Sequence, residues 1–219
     1  MSAFEKYCRI TEIAQECSVK GGFPAGHVRL LAVTKNQNAQ VIDDLYSCGV
    51  REFAENRITV LEEKAKLLAP DIVWHFIGKI QSNKVRKVLK LAKILHSVDS
   101  AALLGRIDRI AGEEDVAPEL FIEVNVSGEE SKSGVELSQV SELLAVPLEH
   151  CRVVGLMTMA PFDSSSDEQR KIFSALKKCA DMNGLKELSM GMSNDYTTAA
   201  ACGATIIRIG TALFEAGAV

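Results

Sequence analysis

A lean (β/α)8 barrel with an extra N-terminal helix is the fold class that the sequence predicts, and three observations predict it. Short apolar, β-branched runs recur eight times along the chain, stretches of helical spacing separate them, and the whole occupies 219 residues. Single-core α/β barrels commonly fill roughly 200–250 residues, and continuous apolar runs suit strands buried on both faces of a parallel sheet. An open doubly wound sheet is the alternative, because the second and seventh runs are the weakest.

The elements follow in order. Residues 4–19 carry apolar side chains at amphipathic spacing and form a leading helix. Leu30-Leu31-Ala32-Val33 is the first strand, and Val41-Ile42-Asp43-Asp44-Leu45 before Gly49 has helical spacing closed by a C-terminal glycine signal. The next strands are Val50-Arg51-Glu52-Phe53-Ala54, Ile72-Val73-Trp74, Ile94-Leu95 and Leu120-Phe121-Ile122. Val153-Val154-Gly155-Leu156 is the sixth, followed by a polar, turn-rich loop at Pro161 to Asp167 and a helix through Ile172-Phe173-Ser174-Ala175-Leu176 before Gly184. Lys186-Glu187-Leu188-Ser189-Met190 and Ile206-Ile207 complete the set. No linker, low-complexity tract or charge block divides the chain, so residues 1–219 are expected to form one domain.

The formal net charge is −4, with acidic and basic residues mixed along the chain. No basic stripe of the kind that neutralises phosphate backbones is present, which argues against a nucleic-acid partner. No apolar run approaches the roughly 20 residues that span a bilayer, and Met1-Ser2-Ala3-Phe4-Glu5-Lys6 lacks a signal-peptide core, so no membrane association and a cytoplasmic location are expected. The 6 cysteines stand singly, without C-x-x-C spacing, and read as reduced structural thiols.

In this fold the active site lies at the C-terminal ends of the strands, and those ends are polar: Thr34-Lys35, Glu55-Asn56, His75, His96-Ser97, Asn125, Thr158, Gly191 to Ser193 and Arg208 to Thr211. Lys35 emerges at the barrel mouth, where desolvation would favour the neutral amine that attacks aldehydes; a lysine snorkelling at a strand end is the plainer alternative. The loops Met190 to Asp195 and Ile209 to Ala212 follow strands seven and eight, where barrels recurrently bind phosphate through glycine backbone, hydroxyls and N–H groups. Two capped glycine turns explain each loop singly. Arg208 sits in an otherwise apolar strand and needs a partner, either a carboxylate such as Glu55 or the ring nitrogen of a bound heterocycle. Amine, phosphate cup and arginine are together the parts of a pyridoxal phosphate site.

His75 and His96 read as core or rim histidines, without metal-ligand spacing. Lys79, Lys84, Arg86, Lys87, Lys90 and Lys93 read as a solvated face around the helix after the third strand, with docking of an anion or acidic partner as the alternative.

The segments Ala32-Val33-Thr34-Lys35, Glu55-Asn56-Arg57, Trp74-His75-Phe76-Ile77-Gly78, Gln81-Ser82-Asn83-Lys84 and His96-Ser97-Val98-Asp99-Ser100 carry a family resemblance. So do Gly128-Glu129-Glu130-Ser131-Lys132-Ser133-Gly134, Gly155-Leu156-Met157-Thr158, Ser189-Met190-Gly191-Met192-Ser193 and Arg208-Ile209-Gly210-Thr211. In order and over nearly the whole chain they resemble the pyridoxal phosphate homeostasis protein family, once called proline synthase co-transcribed protein. The resemblance implies a barrel similar to the N-terminal domain of alanine racemase, with pyridoxal 5′-phosphate held as an aldimine on Lys35. It also implies Asn56 lining the ring, Arg208 facing the pyridine nitrogen, Ser193, Gly210 and Thr211 holding the phosphate with Met192 beside them, and Lys132 near the cofactor mouth. Ala54 stands where the family pattern has glycine, Asn194 where it has aspartate, and the chain lacks the usual basic-aromatic tail.

The resemblance further implies a carrier or buffer of the cofactor in vitamin B6 and amino-acid homeostasis, without a dedicated reaction, serving pyridoxal-dependent apo-enzymes as partners. An arginine at the pyridine nitrogen disfavours the ring protonation that stabilises a carbanion. Racemisation also needs an acid/base opposite Lys35, supplied in alanine racemase by a tyrosine from another domain and subunit. Tyr196 is the residue here that could take that place, so a weak racemase or lyase is the alternative, with a class I aldolase using Lys35 more distant.

Overall fold

Each of the eight apolar runs forms a strand in the structure, a computed structural model that describes residues 1–129 and 133–215. The strands are β1 (Arg29–Val33), β2 (Glu52–Glu55), β3 (Val73–Phe76), β4 (Ile94–Val98), β5 (Glu119–Glu123), β6 (Arg152–Met157), β7 (Glu187–Ser189) and β8 (Ile206–Ile209). All neighbours pair in parallel and β8 returns to β1, with Leu31 opposite Arg208, so the sheet closes into a barrel. The open sheet is thereby excluded. The weak seventh run is the shortest strand, and it meets β8 through the single pair Ser189 and Ile206.

The helices are α1 (Ala3–Lys20), α2 (Ala39–Ser47), α3 (Ile58–Leu67), α4 (Val85–Leu89), α5 (Ala101–Glu114), α6 (Val140–Leu144), α7 (Ser166–Met182), α8 (Tyr196–Ala201) and α9 (Thr211–Phe214). Ser2 with Glu5 starts α1, and Ser165 with Glu168 starts α7; in each pair a hydroxyl and a carboxylate satisfy reciprocal backbone donors. The leading helix packs against α8, where a Cβ on Gly21 would stand 2.2 Å from the Ala201 carbonyl oxygen.

Strand periodicity divides the apolar residues into two cores. Leu31, Val33, Ala54, Ile94, Phe121, Met157 and Ile206 fill the barrel interior, whereas Leu30, Ala32, Phe53, Leu95, Leu120 and Ile207 face the helix layer. Burying each large aliphatic side chain contributes about 1.5–3 kcal/mol. Among the described residues no helix is long and apolar enough to cross a membrane, and all six cysteines are free.

Candidate binding site at the barrel mouth

The C-terminal ends of the strands surround a cavity of about 530 Å³. Lys35 and Asn56 line one side, Met192, Ser193, Arg208, Gly210 and Thr211 the other, over an apolar base of Val33, Ile77 and Met157. The fold thus brings together seven of the eight predicted residues; Lys132 lies outside the described residues. Met159 and Ala160, with Pro161 and Phe162 at the start of the predicted loop after β6, form an apolar rim.

Lys35 follows two residues after the end of β1 and continues the inward parity of Leu31 and Val33. It is exposed, which corrects the expectation of a lysine desolvated by the barrel wall: the strand ends short of it, and the side chain stands above an open mouth. Its backbone is nevertheless fixed. The Thr34 carbonyl accepts from Lys64 Nζ at 2.9 Å and from the Gln37 N–H at 2.9 Å, across a turn in which Asn36 takes φ 69°. Lys64 also pairs with Glu55, which accepts from the Thr34 hydroxyl at 2.8 Å. Both members of this ion pair are buried.

That arrangement corrects one of the two partners expected for Arg208. Glu55 alternates with the inward Ala54, so it faces α3 and Lys64, while Arg208 faces the barrel interior. Lys64 was not singled out from the sequence, although Leu61 and Lys64 are buried at i, i+3 spacing.

Arg208 is only 4% exposed, and its Nη1 donates to Ser189 Oγ at 2.8 Å and its Nη2 to the Thr158 carbonyl at 3.0 Å. Among the described residues it forms no ion pair. Burial pulls its pKa down to about 10 against the opposing pull of Asp195 and Glu123, so it remains a cation at neutral pH. Asn56 is positioned by Gly78, where a Cβ would lie 2.0 Å from the Asn56 carbonyl oxygen. Ala54, the departure from the family pattern, is fully buried in the barrel interior and keeps regular pairing with Val33 and His75.

The two terminal loops are tied to each other. Ser193 Oγ accepts from the Ala212 N–H at 3.1 Å, which leaves its own proton free to donate. Asp195, also missed from the sequence, accepts from the Met192 N–H at 2.5 Å, and burial raises its pKa. Gly191 has φ 95°, and a Cβ there would stand 2.6 Å from Ala199 Cβ, so the loop requires glycine.

Other expectations divide. Tyr196 is half-buried against the apolar layer between the strands and the helices and does not line the cavity. Tyr7 and Tyr46 lie on outer helices, bonded to the Leu30 carbonyl and Asp71. His75 and His96 are core histidines, hydrogen-bonded to each other at 2.9 Å. The basic cluster is solvent-facing as expected, with Lys87 alone half-buried: Arg86 pairs with Glu113 and Glu114, Lys87 with Glu62 and Lys90 with Glu114, and Lys79 and Lys84 line a separate cavity of about 320 Å³.

The donor set fits pyridoxal 5′-phosphate. An accessible amine, a guanidinium without a carboxylate mate among the described residues, apolar walls for a flat ring and a glycine–hydroxyl cradle share one cavity of ordinary ligand size.

No family profile matches the chain. It is 36% identical over 223 residues to the pyridoxal phosphate homeostasis protein of Aquifex aeolicus, covering 98% of each chain. Its structure is similar to that of PipY of Synechococcus elongatus solved with PLP bound, at TM-score 0.78 and 36% identity, over 93% of this chain and 100% of that one. Alanine racemase of Clostridium difficile, at TM-score 0.68 and 13% identity over 94% of this chain and 59% of that one, shares the fold.

Proposed function

The chain belongs to the pyridoxal phosphate homeostasis protein family, and from that premise we propose that it is a cytoplasmic carrier and buffer of pyridoxal 5′-phosphate, built as one barrel domain and binding the cofactor at its mouth. Lys35 is the anchor, through a Schiff base on its amine. Arg208 donates to the pyridine nitrogen, Asn56 lines the ring, and Ser193, Gly210 and Thr211 hold the phosphate beside Met192. When bound, the cofactor supplies an electrophilic aldehyde and an electron-withdrawing ring.

The observation that carries this reading is Arg208, a buried cation without a carboxylate partner among the described residues, in the same cavity as Lys35. A carboxylate there would support a protonated ring; a permanent cation opposes it and weakens the electron sink that amino-acid chemistry needs. Among the described residues no tyrosine lines the cavity to serve as a second acid/base. Binding without a dedicated reaction is therefore the better-supported reading, and the exposed amine at an open mouth suits release of cofactor to pyridoxal-dependent apo-enzymes.

The test is an absorbance spectrum of purified protein with added cofactor, before and after borohydride, with peptide mapping. The expected result is a band that disappears on reduction, a pyridoxyl-phosphate adduct on Lys35, and no adduct in Lys35→Ala. Wild-type protein that acquires neither band nor adduct overturns the proposal.

A further inference from the structure

Behind Arg208 a line of polar side chains crosses the barrel interior, where apolar residues would be expected. Ser189 Oγ, which accepts from Arg208, lies 2.8 Å from His96 Nδ1. His96 Nε2 lies 2.9 Å from His75 Nδ1, and His75 Nε2, fully buried and without a hydrogen-bond partner among the described residues, lies 3.6 Å from Glu52 Oε2. The four links come from β8, β7, β4 and β3, and Glu52 begins β2 at the end of the barrel opposite the mouth.

Donor and acceptor chemistry fixes the direction of this line. Arg208 can only donate, so the Ser189 oxygen accepts and its single proton is available to His96 Nδ1. Burial holds the His75 pKa at about 3 and that of His96 well below the ordinary range, with Arg29 and Arg208 pushing the same way, so each ring carries one N–H. With Nδ1 accepting, His96 bears its proton on Nε2 and donates to His75 Nδ1. His75 then bears its proton on Nε2, aimed at Glu52. The reverse order would leave the serine proton without an acceptor and turn an imidazole lone pair toward a carboxylate. Glu52 is in turn held by Arg29, whose Nε is 3.4 Å away. The His96 ring is clamped by stacking on Phe121 at 4.5 Å and 14°.

We propose that Ser189, His96 and His75 are positioning residues for the cofactor site: a hydrogen-bond chain of one fixed direction that holds the Arg208 guanidinium and ends at His75, whose Nε2 faces the Glu52 carboxylate at the far end of the barrel. The proposal rests on the reading that Arg208 meets the pyridine nitrogen. It adds that the guanidinium is oriented from two directions, by the Thr158 carbonyl at the mouth and, through Ser189, by the barrel interior.

The first test needs no cofactor. Wild-type protein labelled with 15N-histidine should show His75 and His96 both as Nε2–H tautomers, unchanged between pH 8 and pH 6. An Nδ1–H tautomer of either ring, or an imidazolium at pH 6, overturns the chain. The second is cofactor titration read by absorbance. Ser189→Ala should weaken pyridoxal phosphate binding about tenfold, the loss expected on removing one hydrogen bond to a charged group, and Ser189→Thr should restore most of it. Ser189→Ala protein that binds within twofold of wild type overturns the positioning role. Should Ser189→Ala fail to fold, Glu52→Ala decides: the 15N shifts of both His75 and His96 should move, and an unmoved His96 overturns the proposal. Wild-type protein that takes up no cofactor defeats the cofactor reading alone, since the tautomers are measured without it.

Discussion

Behind Lys35 the barrel wall holds a full ion pair, Glu55 with Lys64, whereas behind Arg208 the interior holds a neutral chain of one hydroxyl and two imidazoles. The first cluster faces the helix layer and is nearly local: Glu55 ends β2 and Lys64 lies nine residues on, in α3. It acts on the backbone, by holding the Thr34 carbonyl. The second faces the barrel axis, draws on three strands and acts on a side chain of a fourth. The two sides of one mouth are thus held by different physics. The exposed amine of Lys35 needs only a fixed root, while the guanidinium of Arg208 needs a fixed head.

Breaking the ion pair should have the largest effect. Lys64→Met leaves the buried Glu55 carboxylate without its cation and, among the described residues, already short of a partner at Oε2, so stability should fall by about 3–5 kcal/mol in urea unfolding. Glu55→Gln added to Lys64→Met should recover part of that loss, and a double variant as unstable as the single would show that the charge is not the cause.

The neutral chain should instead reveal itself in acid. The His75 pKa is about 3 in the folded protein and 6.5 in ordinary surroundings. The unfolded chain therefore binds the extra proton first, so the contribution is complete above pH 6.5 and is lost as pH falls from there toward about 3. The slope is about 1.4 kcal/mol per pH unit for one imidazole. His75→Gln should flatten the acid limb of stability, measured by urea unfolding between pH 7 and pH 5, by that slope; an unchanged limb would place the proton elsewhere. Smallest is the half-exposed pair of Lys87 with Glu62, where Lys87→Ala should change stability by less than about 1 kcal/mol.

The barrel was legible because parallel strands buried on both faces leave continuous apolar runs, and even the three-residue β7 kept the rhythm. Lys35, Ser193, Gly210 and Thr211 were legible because strand ends and glycine loops are local signals. The partners of Arg208 were not. Ser189 and the Thr158 carbonyl reach it only through barrel closure, a contact between residues 19 and 50 positions away. Strand parity did hold a clue: Val73, His75 and Ile77 alternate on one face of β3, as Ile94 and His96 do on β4, which puts both rings in the interior. Parity alone could not say that the two rings would meet.

Gly78 carries a different lesson. It offers no side chain to any ligand, yet a single methyl group there would collide with the Asn56 carbonyl oxygen at 2.0 Å. A genetic screen for loss of cofactor uptake would therefore score residue 78 together with residue 56, although only the latter lines the cavity. The motif after the third strand is in this sense a constraint on the motif after the second, and the two tolerate mutation as a unit.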